Sequence, residues 1–325
     1  MKKHLNQLKI AVTFLLVIVS LHSKASEDPA IEKRKSFSKS YSISNSDKIS
    51  LHNQFGEMRV TTWNKNEVKV DVTIISKSTT DERAQQILDR ISIEDGKNSD
   101  GVFFKTKIGK SDRNQDDGKN YKEEKMEINY VVNMPAGNPL DLDNQFGATI
   151  VPDLGGTVQL TSKFGSLTSG KLAKVKSINV EFGSATLESL NSGTLTIKFS
   201  SAVVDKLDGS VTAMFEHCSG VKLGIQNSTQ ALSIQNNFTK LYLDLNPNIS
   251  ANFQINTNFG ELSNKSGFDI KEEVSDNDHG PKFKHRYTGK AGSGNTSMRI
   301  QAEFSNIVLG HNLKMDSKAE KQEKS

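Results

Sequence analysis

Sulfur chemistry is nearly absent from this chain. Cys218 is the one cysteine among 325 residues, so no intramolecular disulfide can form, and no cysteine follows the N-terminal apolar run to accept a lipid. Cys218 falls at an apolar position three residues after Phe215 and reads as a small buried thiol. His217 beside it would point to the opposite face of a strand, so the two do not converge on a metal or a substrate. Proline is scarce as well, with six in the chain, which leaves turns to glycine, asparagine, serine and threonine. The motifs G-x-S-x-G, H-E-x-x-H, C-x-x-C and the Walker phosphate loop are all missing. The glycines of KAGSGN (290–295) lack the Lys-Ser/Thr pair of a phosphate loop and precede a strand, so they read as a turn. Asp112, Asp116 and Asp117 have neither EF-hand spacing nor a GGxGxD repeat, and residues 109–125 read as a solvated charged loop. His279 and His285 stand in a loop segment without identifiable co-ligands.

Net charge is also missing once the N-terminus is set aside. Lys2 and Lys3 precede an apolar run from Ile10 to Leu21 and the small-residue site Ser23-Lys24-Ala25, the pattern of a cleaved secretory leader over residues 1–25. The run is shorter than a membrane span of roughly 18–20 residues. Removing it takes four lysines and no acid, so 42 basic residues become 38 against 38 acidic ones. A neutral mature chain offers no basis for binding nucleic acid or an anionic membrane, and no later apolar segment is long enough to span a bilayer as a helix.

What the chain does have is a phenylalanine repeat. Phe146, Phe164, Phe182, Phe199, Phe215, Phe238 and Phe259 recur at spacings of 18, 18, 17, 16, 23 and 21 residues, four of them followed by glycine. Leu142, Leu160, Ile178, Leu195, Val211, Ile234 and Ile255 stand four residues before them, and Thr149, Leu167, Ala185, Ala202, Cys218, Leu241 and Leu262 three residues after. The change of parity across each Phe calls for a bulge or tight bend. Leu51, Phe55 and Met58 announce the pattern early, and Ile300, Phe304 and Ile307 return to it as a terminal strand pair. Each repeat is too short to contain a helix. The unit of two or three short strands favours a mainly β, parallel β-solenoid with its Phe rings stacked in the core about 4.8 Å apart, over a regular antiparallel sandwich. On that reading Phe182→Ala should cost roughly 3–5 kcal/mol by opening a cavity.

Three parts follow after the leader. Residues 36–135 form a β-rich N-terminal part, with alternation at Val68, Val70, Val72 and Ile74 and one short helix near 81–91 that buries Ala84, Ile87, Leu88 and Ile91. Residues 140–310 form the Phe-repeat body, interrupted by a polar insertion at 264–297. A charged tail at 314–325 reads as disordered.

Three phrases carry a resemblance: LHNQFGEMRVTTWNKNEVKVDVTI, INYVVNMPAGNPLDLDNQFGATIV and GSGNTSMRIQAEFSNIVL. Together they resemble the adhesin family DUF4097, to which head-domain autotransporter adhesins with GIN motifs are similar, over most of residues 47–310. The resemblance implies an exported bacterial protein with a solenoid-like body and implies no catalytic set. The chain departs from the family pattern where glycine gives way to Ser200, Glu216 and Thr239.

Chemistry on such a body would need carboxylates converging on one face, as in a lyase or glycoside hydrolase. The candidates Asp143, Asp153, Glu181, Glu188, Asp205, Asp208 and Glu216 hold no common offset from the Phe positions. Thr161, Ser162, Thr168, Ser169, Ser192, Thr194, Thr196, Ser200 and Ser201 instead suggest polar faces, either for contact with a glycan or protein or for solubility alone. The sequence thus leads to a non-catalytic, adhesin-like protein of the periplasm or cell surface. Its partner is an unidentified envelope protein or glycan, and no catalytic, cofactor-binding or metal-binding residue is assigned. The competing expectation is a carbohydrate-active enzyme.

Overall fold

A computed structural model describes residues 31–110, 124–273 and 283–316. The expected leader, Asp112, Asp116, Asp117, His279 and the tail beyond Asp316 lie outside the described residues. The protein is mainly β, and its strands join in one large sheet. The described residues contain one helix, α1 (Asp81–Asp89), which starts where Thr80 Oγ1 accepts the Arg83 N–H at 3.2 Å and buries Ala84, Ile87 and Leu88. Ile91, expected on its last turn, opens the following strand.

Two parallel ladders dominate the sheet, and the phenylalanines of the repeat other than Phe215 sit at the corners between them. Before the corner, Leu51, Leu142, Leu160, Ile178, Leu195, Ala213, Ile234, Ile300 and Ile255 lie side by side in one buried column. After it, Met58, Thr149, Leu167, Ala185, Ala202, Val221, Leu241, Ile307 and Leu262 form a second column, buried but for partly covered Leu262. The buried apolar residues form a single core running from Ile43 to Leu309.

Chain order and spatial order part company at the C-terminal end. Strands Thr296–Glu303 and Ile307–Gly310 slot between the 231–245 rung and the 251–264 rung, so the last repeat in sequence is second from the end in space. Strand Lys284–Ala291 then closes that end by pairing antiparallel with Ala251–Asn258. At the other end, Glu67–Ser78 pairs antiparallel with both Lys125–Met134 and Ile31–Ser42. Antiparallel closure supplies partners for the edge hydrogen-bonding groups of a parallel stack.

Two expectations are corrected here. The repeated phenylalanines are not core residues: Phe164 and Phe182 are each 47% exposed. The member of the series read as Phe215 does not sit at a corner at all. It lies fully buried in the column Ile197–Phe215–Asn236, and His217 takes the corner in its place. With that shift Val211 gives way to Ala213 before the corner and Cys218 to Val221 after it. Cys218 is buried, immediately after the corner.

Burial now decides the cost of deletion. Phe215→Ala should destabilise by roughly 3–5 kcal/mol because it empties a closed core site. Phe182→Ala leaves no cavity and should cost about 1–2 kcal/mol, set by lost ring contacts. Equilibrium urea denaturation of the two variants checks the order, and equal losses would contradict the corner placement.

Candidate functional site: an exposed aromatic ladder

Each corner residue has a left-handed backbone. Positive φ values of 49° to 64° occur at Phe55, Phe146, Phe164, Phe182, Phe199, His217, Phe238, Phe259 and Phe304. A bulky residue pays roughly 1–2 kcal/mol for this conformation, so something must offset it. The backbone supplies one part. Phe164 N–H donates to the Glu181 carbonyl at 2.9 Å, Phe182 to Lys198 at 3.1 Å and Phe199 to Glu216 at 2.9 Å, and the other corners repeat the pattern.

The residue after the corner explains the glycines. A Cβ on Gly165 would overlap the carbonyl oxygen of Gly147, and one on Gly183 that of Gly165. Successive rungs approach there backbone to backbone, so the Phe takes the left-handed conformation and the glycine provides clearance. Where the glycine is lost, a short hydrogen-bonding side chain works differently. Ser200 Oγ accepts the Gly183 N–H at 3.0 Å, Thr239 Oγ1 accepts the Cys218 N–H at 2.9 Å, and Ser305 Oγ accepts the Thr239 N–H at 3.1 Å. The Cys218 thiol donates to the Ile197 carbonyl at 3.2 Å. The departures from glycine therefore preserve the corner.

The left-handed turn throws each ring outward, and the rings stack. Neighbouring centroids from Phe55 through Phe146, Phe164, Phe182 and Phe199 are 4.8–5.0 Å apart, with interplanar angles of 2–8°. The His217 imidazole continues the stack at 5.2 Å from Phe199 and 4.6 Å from Phe238. Phe304 and Phe259 follow at 4.9 and 4.8 Å, and Phe283 ends the row tilted by 32°. A stacked pair contributes about 0.5–1.5 kcal/mol, which together with half-burial and the corner hydrogen bond matches the backbone cost.

This arrangement decides what the surface can bind. Ring faces are covered by their neighbours and ring edges meet solvent. A sugar, which needs a free face for CH–π stacking, finds none from Phe146 to Phe259, where each ring has a neighbour on both sides. The edges present an aromatic stripe roughly 40 Å long at the strand spacing, apolar except at the His217 imidazole. Beside it the residues preceding the central corners alternate in sign: Lys163, Glu181, Lys198, Glu216. Lys163 and Glu181 pair at 3.2 Å, and Lys198 and Glu216 at 2.9 Å. The Lys198 ammonium holds the Glu216 carboxyl below its ordinary range, and Glu216 raises Lys198 in return. On the other flank Ser166, Ser184 and Ser201 lie side by side in a small neutral row that Gly220 continues.

The carboxylates considered for catalysis do not come together. Glu181 and Glu216 belong to the charged row. Asp153 Oδ1 accepts the Lys171 N–H at 2.8 Å, and Glu188 pairs with the Lys171 ammonium at 3.5 Å. Asp208 accepts from Ser189 and Ser228, Asp205 is exposed, and Asp143 lies between His52 and Thr161 in the first ladder. His285 Nδ1 lies 2.9 Å from Glu272, and no group of three metal-ligating side chains occurs among the described residues. The polar set also divides, since Ser162, Ser169 and Ser200 are buried and Thr168 and Thr194 exposed. The missed member of the ladder, His217, was detectable: corners at 199, 217 and 238 are spaced 18 and 21 apart, closer to the repeat than the 16 and 23 obtained with Phe215.

No family model matches the chain, and no curated protein does. Solved structures similar to it include a chain from Clostridium sporogenes provisionally named a cell adhesion protein, at 10% identity, covering 86% of this chain and 100% of that one, with a TM-score of 0.27. Another, provisionally named an adhesin from Bacteroides fragilis, shows 13% identity, coverage of 85% and 97%, and a TM-score of 0.31. A third, from Parabacteroides distasonis and provisionally named a lipid binding protein, shows 10% identity, coverage of 84% and 96%, and a TM-score of 0.30. Scores this low carry no argument about the ligand of the present chain.

Gly165→Ala tests the corner geometry. It should lower stability by roughly 1–3 kcal/mol through backbone overlap, while Gly137→Ala, whose Cβ meets nothing within 4 Å, should change it by less than about 0.5 kcal/mol. Paired thermal melts check this, and a harmless Gly165→Ala would contradict the close approach of the rungs.

Proposed function

We propose that this chain is a non-catalytic, exported, adhesin-like binding protein of the bacterial cell envelope, whose contact surface is the phenylalanine ladder. The two parallel ladders are read as the successive coils of a β-solenoid, with residues 36–135 as its N-terminal part, 140–310 as its body and the first 25 residues as a cleaved leader. The observation that carries the function is the row of half-exposed rings: Phe146, Phe164, Phe182, Phe199, Phe238, Phe304 and Phe259 are 45–50% exposed along one line. A contiguous apolar stripe of this size on a protein surface marks an interaction site. The geometry favours binding over hydrolysis, because Glu181, Glu188 and Glu216 are each paired with a lysine, and Asp153 and Asp208 are held by hydrogen bonds elsewhere on the repeats. Among the described residues no helix is long and apolar enough to cross a membrane.

The test compares the exported chain with a Phe146→Asn/Phe164→Asn/Phe182→Asn variant. Asparagine accepts the left-handed conformation and removes the apolar edge. Both are applied to a glycan panel and to washed envelope fractions, and the glycans are then examined for cleavage. Saturable envelope binding by the parent, at least tenfold weaker in the variant and without cleavage, is the expected result. Cleaved glycan, or binding indifferent to the three substitutions, would contradict it.

A further inference from the structure

We propose that the occupant of the phenylalanine ladder is a second copy of this chain, docked antiparallel so that the two ladders meet edge to edge. The inference rests on the reading of the ladder as a contact surface and names its partner. Area, shape and charge each support it.

The six half-exposed phenylalanines Phe146, Phe164, Phe182, Phe199, Phe238 and Phe304, which a register centred between Phe182 and Phe199 sets against the partner's ladder, offer roughly 600 Å² of ring surface, and the flanking rows bring the buried area toward the roughly 800 Å² per partner of a standard protein interface. Ring centroids spaced 4.8–5.0 Å apart from Phe55 to Phe199 repeat at the rung spacing, so a partner with the same repeat can match the row ring by ring. A second copy presents such an edge with the same spacing.

Charge then selects the orientation. A two-fold axis across the row, lying in the interface, sets the charged flank of one copy against the charged flank of the other with its order reversed. With the axis midway between the Phe182 and Phe199 rungs, Glu181 faces Lys198 and Lys163 faces Glu216, and each pair occurs twice. The neutral flank then sets Ser184 against Ser201 and Ser166 against Gly220. Centring the axis on Phe199 would place Lys198 against itself and Glu181 against Glu216, which disfavours that register. A parallel pair would set the charged row against the serine row and leave it unmatched. A lipid surface lacks an alternation of charge at the rung spacing, and the balanced row gives it no net attraction to anionic headgroups.

Sedimentation equilibrium of the exported chain tests the proposal over ~1–100 µM, a range suited to an interface of standard size. A dimer is expected, weakened at least tenfold by Phe182→Asn/Phe199→Asn, with melting curves confirming that the variant is folded. Glu181→Lys should weaken the dimer, and adding Lys198→Glu in the same chain should restore it while disfavouring mixed dimers with the parent. A parent that stays monomeric overturns the proposal, as does a dimer that survives the asparagine substitutions. A dimer indifferent to the charge exchange overturns the antiparallel register. Flotation of monomers with phosphatidylcholine vesicles would assign the stripe to lipid instead. If the chain is monomeric yet the ladder variant still loses envelope binding, self-docking fails and the contact surface stands.

Discussion

The structure depends on one backbone constraint, a left-handed corner that must be repeated at each rung, followed at five of the nine corners by a glycine that has no room for a Cβ. Because the corner N–H reaches the carbonyl of the adjoining rung, the corners have to lie directly above one another. Alignment of the corners brings their side chains to strand spacing, at which aromatic rings can stack. The side chain at a left-handed corner also points away from the core, so the stack forms outside. Interior packing is left to the aliphatic columns on either side, and to Phe215 where a large residue fits.

Ser200, Cys218, Thr239 and Ser305 show how closely that constraint is held. Each replaces the clearance glycine, and each places a hydroxyl or thiol on a backbone group within its own or an adjacent rung. His217 makes the same point for the ring: an imidazole is a flat aromatic of similar thickness, so it keeps the stack continuous between Phe199 and Phe238. The corner tolerates a change of chemistry that respects its shape.

Much of this was legible in the residues. Away from the Phe215 rung, the aliphatic positions before and after each Phe, the change of parity across the corner, a helix burying Ala84, Ile87 and Leu88, and the strand with Val68, Val70, Val72 and Ile74 all follow from hydrophobic period, and the structure places them so. The ladder's position was not legible. Phenylalanine is ordinarily an interior residue, and nothing in the Phe-Gly dipeptide says that the Phe rather than the glycine takes the positive φ. Phe215 misled because it is a phenylalanine two residues from the true corner, on the inward face of the same strand. The interleaving of the last two repeats was hidden too, because hydrophobic register specifies which residues face inward and says nothing about which rungs are neighbours.

An apolar stripe outside the core is a surface maintained at a cost, since burying those rings would have added stability. Its regular spacing, its edge-on rings and its balanced charged flank suit contact with another ordered surface better than capture of a small ligand. Hydroxyl-radical footprinting with mass spectrometry tests the central claim most directly. In dilute solution Phe146, Phe164, Phe182 and Phe199 should be oxidised at similar rates, well above those of buried Phe104, Phe215 and Phe253. Protection of Phe164 and Phe182 equal to that of Phe215 would place the rings in the core and contradict the account.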